Sequence, residues 1–260
     1  MSSAGPQNDV SLWARVSRLL PQSVIDAFPG LVRAGRYGEI VAELVNSKSH
    51  KQADEGSQFL VTNPTPSTGI ATGAAVTSFT ATTPYIVIQN NNPIGGKNIF
   101  LDYIKLTATV AGTNGVGVWW RGVLDNLVRY TSGGAGAAGT GQTTVLSGPV
   151  CPNFGSPAQS NALVYAGAIT AAAASSVAKL LSGGVFRTTI MVVGDTYTVN
   201  FGGAEASDGN QVKNGTNPTD FVHQSGPVEI APGGSYLFYL WSPSQTVAAQ
   251  NEVEISYVER

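Results

Sequence analysis

Three stretches of this chain alternate apolar and polar side chains with a period of two, and that alternation restricts the fold more than any other feature of the sequence. In Ile99–Val110, Ile104, Leu106, Ala108 and Val110 alternate with Lys105, Thr107 and Thr109. In Thr196–Phe201, Tyr197, Val199 and Phe201 oppose Thr196, Thr198 and Asn200. In Glu252–Glu259, Val253, Ile255 and Tyr257 oppose Glu252, Glu254 and Ser256. Successive side chains of a strand point to opposite faces, so each stretch predicts a strand with one buried and one wetted face. Tyr236–Trp241 is apolar on both faces and predicts a central strand.

Shorter β-rich runs fill the intervals: Gln58–Thr62, Tyr85–Gln89, Val116–Val123, Thr143–Leu146, Val185–Val193 and Val228–Ile230. Turn chemistry separates them. Asn63-Pro64-Thr65-Pro66, Asn90-Asn91-Asn92-Pro93 with Gly95-Gly96, and Pro232-Gly233-Gly234 all break regular structure. Gly194-Asp195 predicts a hairpin turn between the runs on either side of it. About eight to ten antiparallel strands imply a β-sandwich, with a jelly roll as the favoured topology. Two stretches fit less well. Ser132–Gly141 predicts a Gly/Ala loop, and Ala162–Leu181 either an Ala-rich helix or a pair of strands, with helix preferred.

The first 55 residues follow a different period. Leu12, Trp13, Val16, Leu19 and Leu20 recur at helical spacing, ending near Pro21. Ser23 can cap a second short helix that breaks at Pro29-Gly30, and a third spans roughly Gly38–Asn46, with Tyr37, Ile40, Val41 and Leu44 as its apolar face. Such short helices cannot form a deep core alone and must dock on something. Ser47–Gly56 is polar and predicts a hinge. The expected organisation is a helical N-terminal arm and hinge over 1–55 and a mainly β, antiparallel sandwich over 56–260.

Charge then narrows function. Only 12% of residues are Asp, Glu, Lys or Arg, against roughly 25% in average proteins. A surface poor in Lys and Glu resembles the core of a protein–protein interface more than the coat of a free monomer. In the arm, Arg15, Arg18, Arg33, Arg36, Lys48 and Lys51 are balanced by Asp9, Asp26, Glu39, Glu43, Asp54 and Glu55. Phosphate neutralisation needs a positive excess, so no direct nucleic-acid binding is expected. Cys151 is the single cysteine, which rules out an intrachain disulfide. No membrane span and no signal peptide are expected.

No constellation points to catalysis, and neither an enzyme nor a cofactor is expected. Gly134–Gly139 has the glycine spacing of a dinucleotide loop but lacks the following helix and the acidic residue that reads the ribose. His50 and His223 lack a companion nucleophile, although Asp220 is placed to orient His223. Asp102, Asp125 and Asp195 are too scattered to nominate the carboxylate pair of a depolymerase. Glu205, Asp208, Asn210 and Asp220 offer oxygen ligands, but at no recognised calcium spacing. Trp119 and Trp120 must face opposite ways in a strand, one into the core and the other towards a subunit contact or a sugar-stacking platform.

The helical arm, the stretch Ala53–Pro66 and the neutral β segments ending in Pro232-Gly233-Gly234-Ser235-Tyr236 together resemble virion structural proteins of bacteriophages, of the capsid, decoration or head-fibre class. That resemblance implies a jelly-roll-like fold, homo-oligomers and contacts with other capsid proteins. It also implies residence in a virion assembled in the host cytoplasm. The arm, through Leu12, Trp13, Val16, Leu19, Leu20, Tyr37, Ile40, Val41 and Leu44, is the expected anchor, with Trp119 and Trp120 as candidate interface aromatics. The alternative is a carbohydrate-binding or adhesin sandwich, with Trp119, Trp120 or Trp241 in an exposed platform.

Overall fold

The computed structural model of the chain describes residues 52–63, 65–72, 76–138, 147–202 and 220–260, with backbone alone over 136–138. The expected arm helices, the anchor residues Leu12 to Leu44 and the Thr143–Leu146 strand lie outside the described residues, as do His50, Glu205, Asp208 and Asn210. What is described is mainly β, with almost no helix. The strands are β1 (Gln58–Thr62), β2 (Ile70–Ala71), β3 (Ile86–Asn90), β4 (Ile99–Val110), β5 (Val118–Asp125), β6 (Tyr130–Ala138) and β7 (Ala162–Ala171). They continue as β8 (Lys179–Arg187), β9 (Thr196–Phe201), β10 (Asp220–Ser225), β11 (Glu229–Ile230), β12 (Ser235–Trp241) and β13 (Gln250–Glu259).

They form two sheets. One runs β1-β13-β4-β9-β10, with β2 attached to β13 and β11 to β4; the other runs β6-β7-β3-β12-β5-β8. Described pairings are antiparallel except β9 with β10, which is parallel. The sheets share one hydrophobic cluster in a sandwich-like arrangement. Phe59, Ile104, Leu106, Tyr197, Val199 and Ile255 enter it from the first sheet, and Ile86, Ile88, Trp120, Val164, Phe186 and Phe238 from the second. Rings meet across the gap: Phe201 of β9 lies 5.5 Å from Tyr236 of β12, and Tyr197 of β9 lies 5.2 Å from Phe186 of β8. The alternation predicted for β4, β9 and β13 is what buries Ile104, Leu106, Tyr197, Val199, Val253 and Ile255.

β12 is apolar on both faces because both are covered. Tyr236, Phe238 and Leu240 face the shared core. Leu237 and Tyr239 face outward into a second, smaller cluster with Val87, Val123, Ile169 and Ala171.

Several local expectations are corrected. Ala162–Leu181 is not a helix: β7 pairs along its length with β3 and β6, a turn follows, and β8 begins at Lys179. Alanine's helix preference is small beside the ladder bonds of a central strand. Ser132–Gly141 is not simply a loop, since Tyr130–Ala138 is the edge strand β6. Gly194-Asp195 does not join a hairpin: β8 pairs with β5 in one sheet and β9 with β4 in the other, so the connection crosses between sheets. Asp195 shapes that crossing. Its buried carboxylate accepts bonds from Val192 N at 2.8 Å, Tyr197 Oη at 2.8 Å and the Arg187 guanidinium. The end of the expected hinge is also fastened to the β body. Gln52 and Ser57 are buried, and Glu259 N donates to Ser57 O at 2.9 Å.

Candidate functional site

The adjacent tryptophans of β5 face opposite sides of the sheet. Trp120 is 2% exposed and stacks between Phe186 and Phe238, at centroid distances of 5.5 and 5.7 Å. It is core, which removes it as an interface or platform residue. Trp119 is 39% exposed on the outer face of the six-stranded sheet.

The register of β5 against β12 sets Trp119 opposite Trp241 and Arg121 opposite Tyr239. The two indoles lie 6.4 Å apart with planes 19° from parallel. Phe79 packs edge-on against Tyr239 at 4.9 Å and Trp241 at 5.9 Å, and itself stays 38% exposed. The Arg121 guanidinium lies 5.8 Å from the centre of the Phe79 ring. Trp119, Trp241, Phe79 and Arg121 thus form one surface patch. Two glycines make room for it. A Cβ at Gly117 would come within 3.2 Å of Trp119 Nε1, and one at Gly183 within 3.2 Å of Arg121 Nε.

A buried ion pair holds the segment that carries Phe79. Arg129 is 1% exposed and Asp125 2%. Arg129 Nη1 donates to Asp125 Oδ2 at 2.9 Å, Nε to Ala172 O at 2.7 Å and Nη2 to Ala81 O at 2.8 Å. Tyr239 Oη donates to the same Ala81 carbonyl at 2.8 Å, and Ser242 N to Val76 O at 3.0 Å. Asp125 also accepts from Ser175 N at 3.0 Å. Burial pushes the Asp125 carboxyl up, but hydrogen bonds from Ser175, Arg129 and Leu127 outweigh it and leave the group below its ordinary value. The strap over the sheet is therefore fixed at several points, and its phenylalanine is presented on a rigid base.

The remaining candidates do not assemble into a reactive site. His223 packs between Trp120 and Phe186, at 5.8 and 5.0 Å, where burial lowers its pKa against an opposing hydrogen bond to the Val185 backbone. Its strand-mate Asp220 is exposed. Asp102 accepts from Ser256 Oγ at 3.2 Å, while Asp125 and Asp195 are occupied as described. Glu259 is buried and bonded to Ser160, whose hydroxyl also lies 2.6 Å from Tyr257 Oη; Ser160 is itself 2% exposed. Gly134 to Ala138 are strand, not the strand-to-helix turn of a phosphate loop. Among the described residues no cluster of His, Cys, Asp or Glu is arranged to hold a metal ion, and Cys151 is a free thiol. A surface cleft of about 350 Å³ between Leu124, Asn126, Val177, Lys179, Glu229 and Pro232 has Asp125, already saturated, in its wall.

Sequence alone flags Trp119 and Trp241 as aromatics but does not pair them, because cross-strand register is a tertiary fact. Arg121 carries a weak signal, being two residues from Trp119 on the same strand face. Phe79 carries none, since it reaches the patch from an irregular segment. No helix among the described residues is long and apolar enough to cross a membrane. No family model, curated protein or solved structure matches this chain.

Proposed function

We propose that the chain is a structural subunit of a bacteriophage particle, with a jelly-roll body that assembles with copies of itself and with other capsid proteins. The strand orders β1-β13-β4-β9 and β3-β12-β5-β8 support the jelly-roll reading. Taken in chain order, these eight strands alternate between sheets except at β5 and β8, which pair within one sheet, in the manner of two nested Greek keys with β6 and β7 added beyond β3. Fold does not decide function. The observation that carries the assembly reading is exposed apolar surface on an edge that no strand among the described residues extends. β8 ends the six-stranded sheet, and its first half leaves Leu180 62% and Leu181 39% exposed beside Val177 at 56%. Phe154 and Ile94 stand almost fully in solvent as well.

Soluble monomers blunt edge strands with charge, proline or a covering segment. Here Lys179 is the one charge in the exposed half of β8. A neighbouring subunit covering these side chains removes them from water, contributing about 25 cal/mol per Å² of apolar area. In this reading the arm tethers each subunit through Leu12, Trp13, Val16, Leu19, Leu20, Tyr37, Ile40, Val41 and Leu44. The role is structural, with no catalysis.

Mass photometry and negative-stain imaging of the purified full chain test the reading. Discrete closed oligomers or shells are expected. A chain lacking residues 1–46 should stay soluble yet fail to join particles. A full chain that is monomeric at high concentration, or normal incorporation of the truncated one, would overturn it.

A further inference from the structure

We infer that the outer-face patch formed by Trp119, Trp241, Phe79 and Arg121 binds sugars whose pyranose ring bears a carboxylate. The inference is independent of how subunits assemble. It begins from an uneven distribution of exposure. Most of this face is closed: Leu237, Tyr239, Val87 and Val123 are buried in the outer cluster, Ala178 packs against it and Phe79 lies on Tyr239. At one end the cover stops, and Trp119 and Phe79 retain 39% and 38% of their surface. An aromatic face carries negative quadrupole charge. The axial C–H groups of a pyranose carry slight positive charge and present a flat apolar face of matching size.

Arg121 supplies the second recognition element. Among the described residues its guanidinium has no carboxylate partner and no hydrogen bond, and it lies against the Phe79 ring. The cation–π contact fixes the group without using up its N–H donors. Those donors remain for a carboxylate, which guanidinium binds in bidentate fashion. A sugar carboxylate on a ring stacked against the neighbouring aromatics would meet both features at once. The ordering cost of binding is reduced in advance, since Ala81, Val76 and Tyr239 hold the Phe79 segment and the glycines at 117 and 183 leave space for the indole and the guanidinium.

Two other occupants fit less well. Single-stranded nucleic acid stacks on aromatics too, but it needs a groove of several cations to follow its backbone, and this patch has one. A second copy meeting here across a two-fold axis would bring Arg121 towards its own duplicate.

Affinity electrophoresis of the full chain through gels containing polygalacturonate, alginate, hyaluronate or polysialic acid tests the inference, with neutral dextran and oligo-dT as comparison arms. Retardation by at least one acidic polymer is expected. Arg121→Gln should weaken it about tenfold, as loss of one charge-assisted contact does. Trp119→Ala should weaken it at least as much, whereas Trp119→Tyr, which keeps a ring, should retain most of it. Melting curves verify that each variant is folded. Failure of all four acidic polymers to retard the protein, or retardation indifferent to Arg121→Gln and Trp119→Ala, would overturn the inference. So would retardation by oligo-dT that depends on the same two residues.

Discussion

Asp125 and Arg129 are both charged and both almost entirely out of water, so their value lies in what the pair holds rather than in the attraction itself. Burying two ions costs roughly what their mutual attraction returns, but removing one partner strands the other. Three arms of the guanidinium tie the end of β5 to Ala81 and Ala172, the segments that cover the outer face of the sheet. Asp125→Asn is therefore expected to lower the unfolding free energy by about 3–5 kcal/mol, read from urea denaturation at neutral pH. The acid limb follows from the direction of the shift. The unfolded carboxyl titrates near about 3.9, and the folded one lower. Its contribution is fully present above the unfolded value and is lost as pH falls through the folded one. Denaturation midpoints of the wild type should drop across that interval, and those of Asp125→Asn should drop less. At the same scale, the Trp119-Trp120 pair shows how one step along a strand decides between surface and core. Strand periodicity makes that opposition legible, but only the neighbouring sheet decides which tryptophan is inside.

At the scale of elements, legibility follows contrast between the two faces. β4, β9 and β13 pair Ile, Leu, Val and Tyr with Thr, Lys and Glu, and their apolar faces are buried as the alternation predicts, except that Val110 at the end of β4 is exposed; Ser256, on the polar face of β13, is buried as well. β6 and β7 offer little contrast. Ala162, Ala166 and Ala171 are buried, yet alanine is equally at home on a wetted helix, so no period emerges. What makes these strands is pairing: β7 is clasped between β3 and β6, and β6 follows it through two register shifts. Gly133 and Gly134 sit at the second of these shifts, with φ of +80° and +70°. Such backbone is natural for glycine and costly for other residues. A Cβ at Gly134 would also lie 2.8 Å from both the Ala166 carbonyl oxygen and Ile169 Cγ1. Gly134→Ala is thus expected to destabilise the protein by about 1–3 kcal/mol. Gly226→Ala, where nothing lies within 4 Å of the added carbon, should change stability by under about 0.5 kcal/mol. Equal effects in parallel thermal melts would mean that β6 does not need its left-handed glycines. The sheet crossing at Gly194-Asp195 escapes the sequence for a related reason. A Gly-Asp pair suits a tight hairpin, but here the aspartate side chain binds Val192, Tyr197 and Arg187 and turns the chain towards the other sheet.

At the scale of the whole molecule, the scarcity of charge makes a distinction that contacts within one subunit cannot. With 12% charged residues and a net charge of −2, neither long-range attraction nor a dense set of surface ion pairs is available to hold copies together. The half-buried Lys105–Glu254 pair, at 3.2 Å on the sheet surface, illustrates the scale, since surface pairs contribute about 1 kcal/mol or less. If subunits associate, apolar side chains such as Leu180, Leu181, Val177, Phe154 and Ile94 supply the free energy. That source responds differently to solution conditions. Screening shortens the reach of charge from about 10 Å at 0.1 M salt to about 3 Å at 1 M, but apolar burial is untouched by screening, strengthened by sulfate and weakened by cooling. Association is accordingly expected to persist or increase on going from low to about 1 M ionic strength in sulfate, and to loosen at temperatures near freezing. Sedimentation velocity across that grid of salt and temperature measures both trends. Dissociation by salt, with indifference to cold, would mean that paired charges hold the copies together, and the exposed leucines of β8 would then need another explanation.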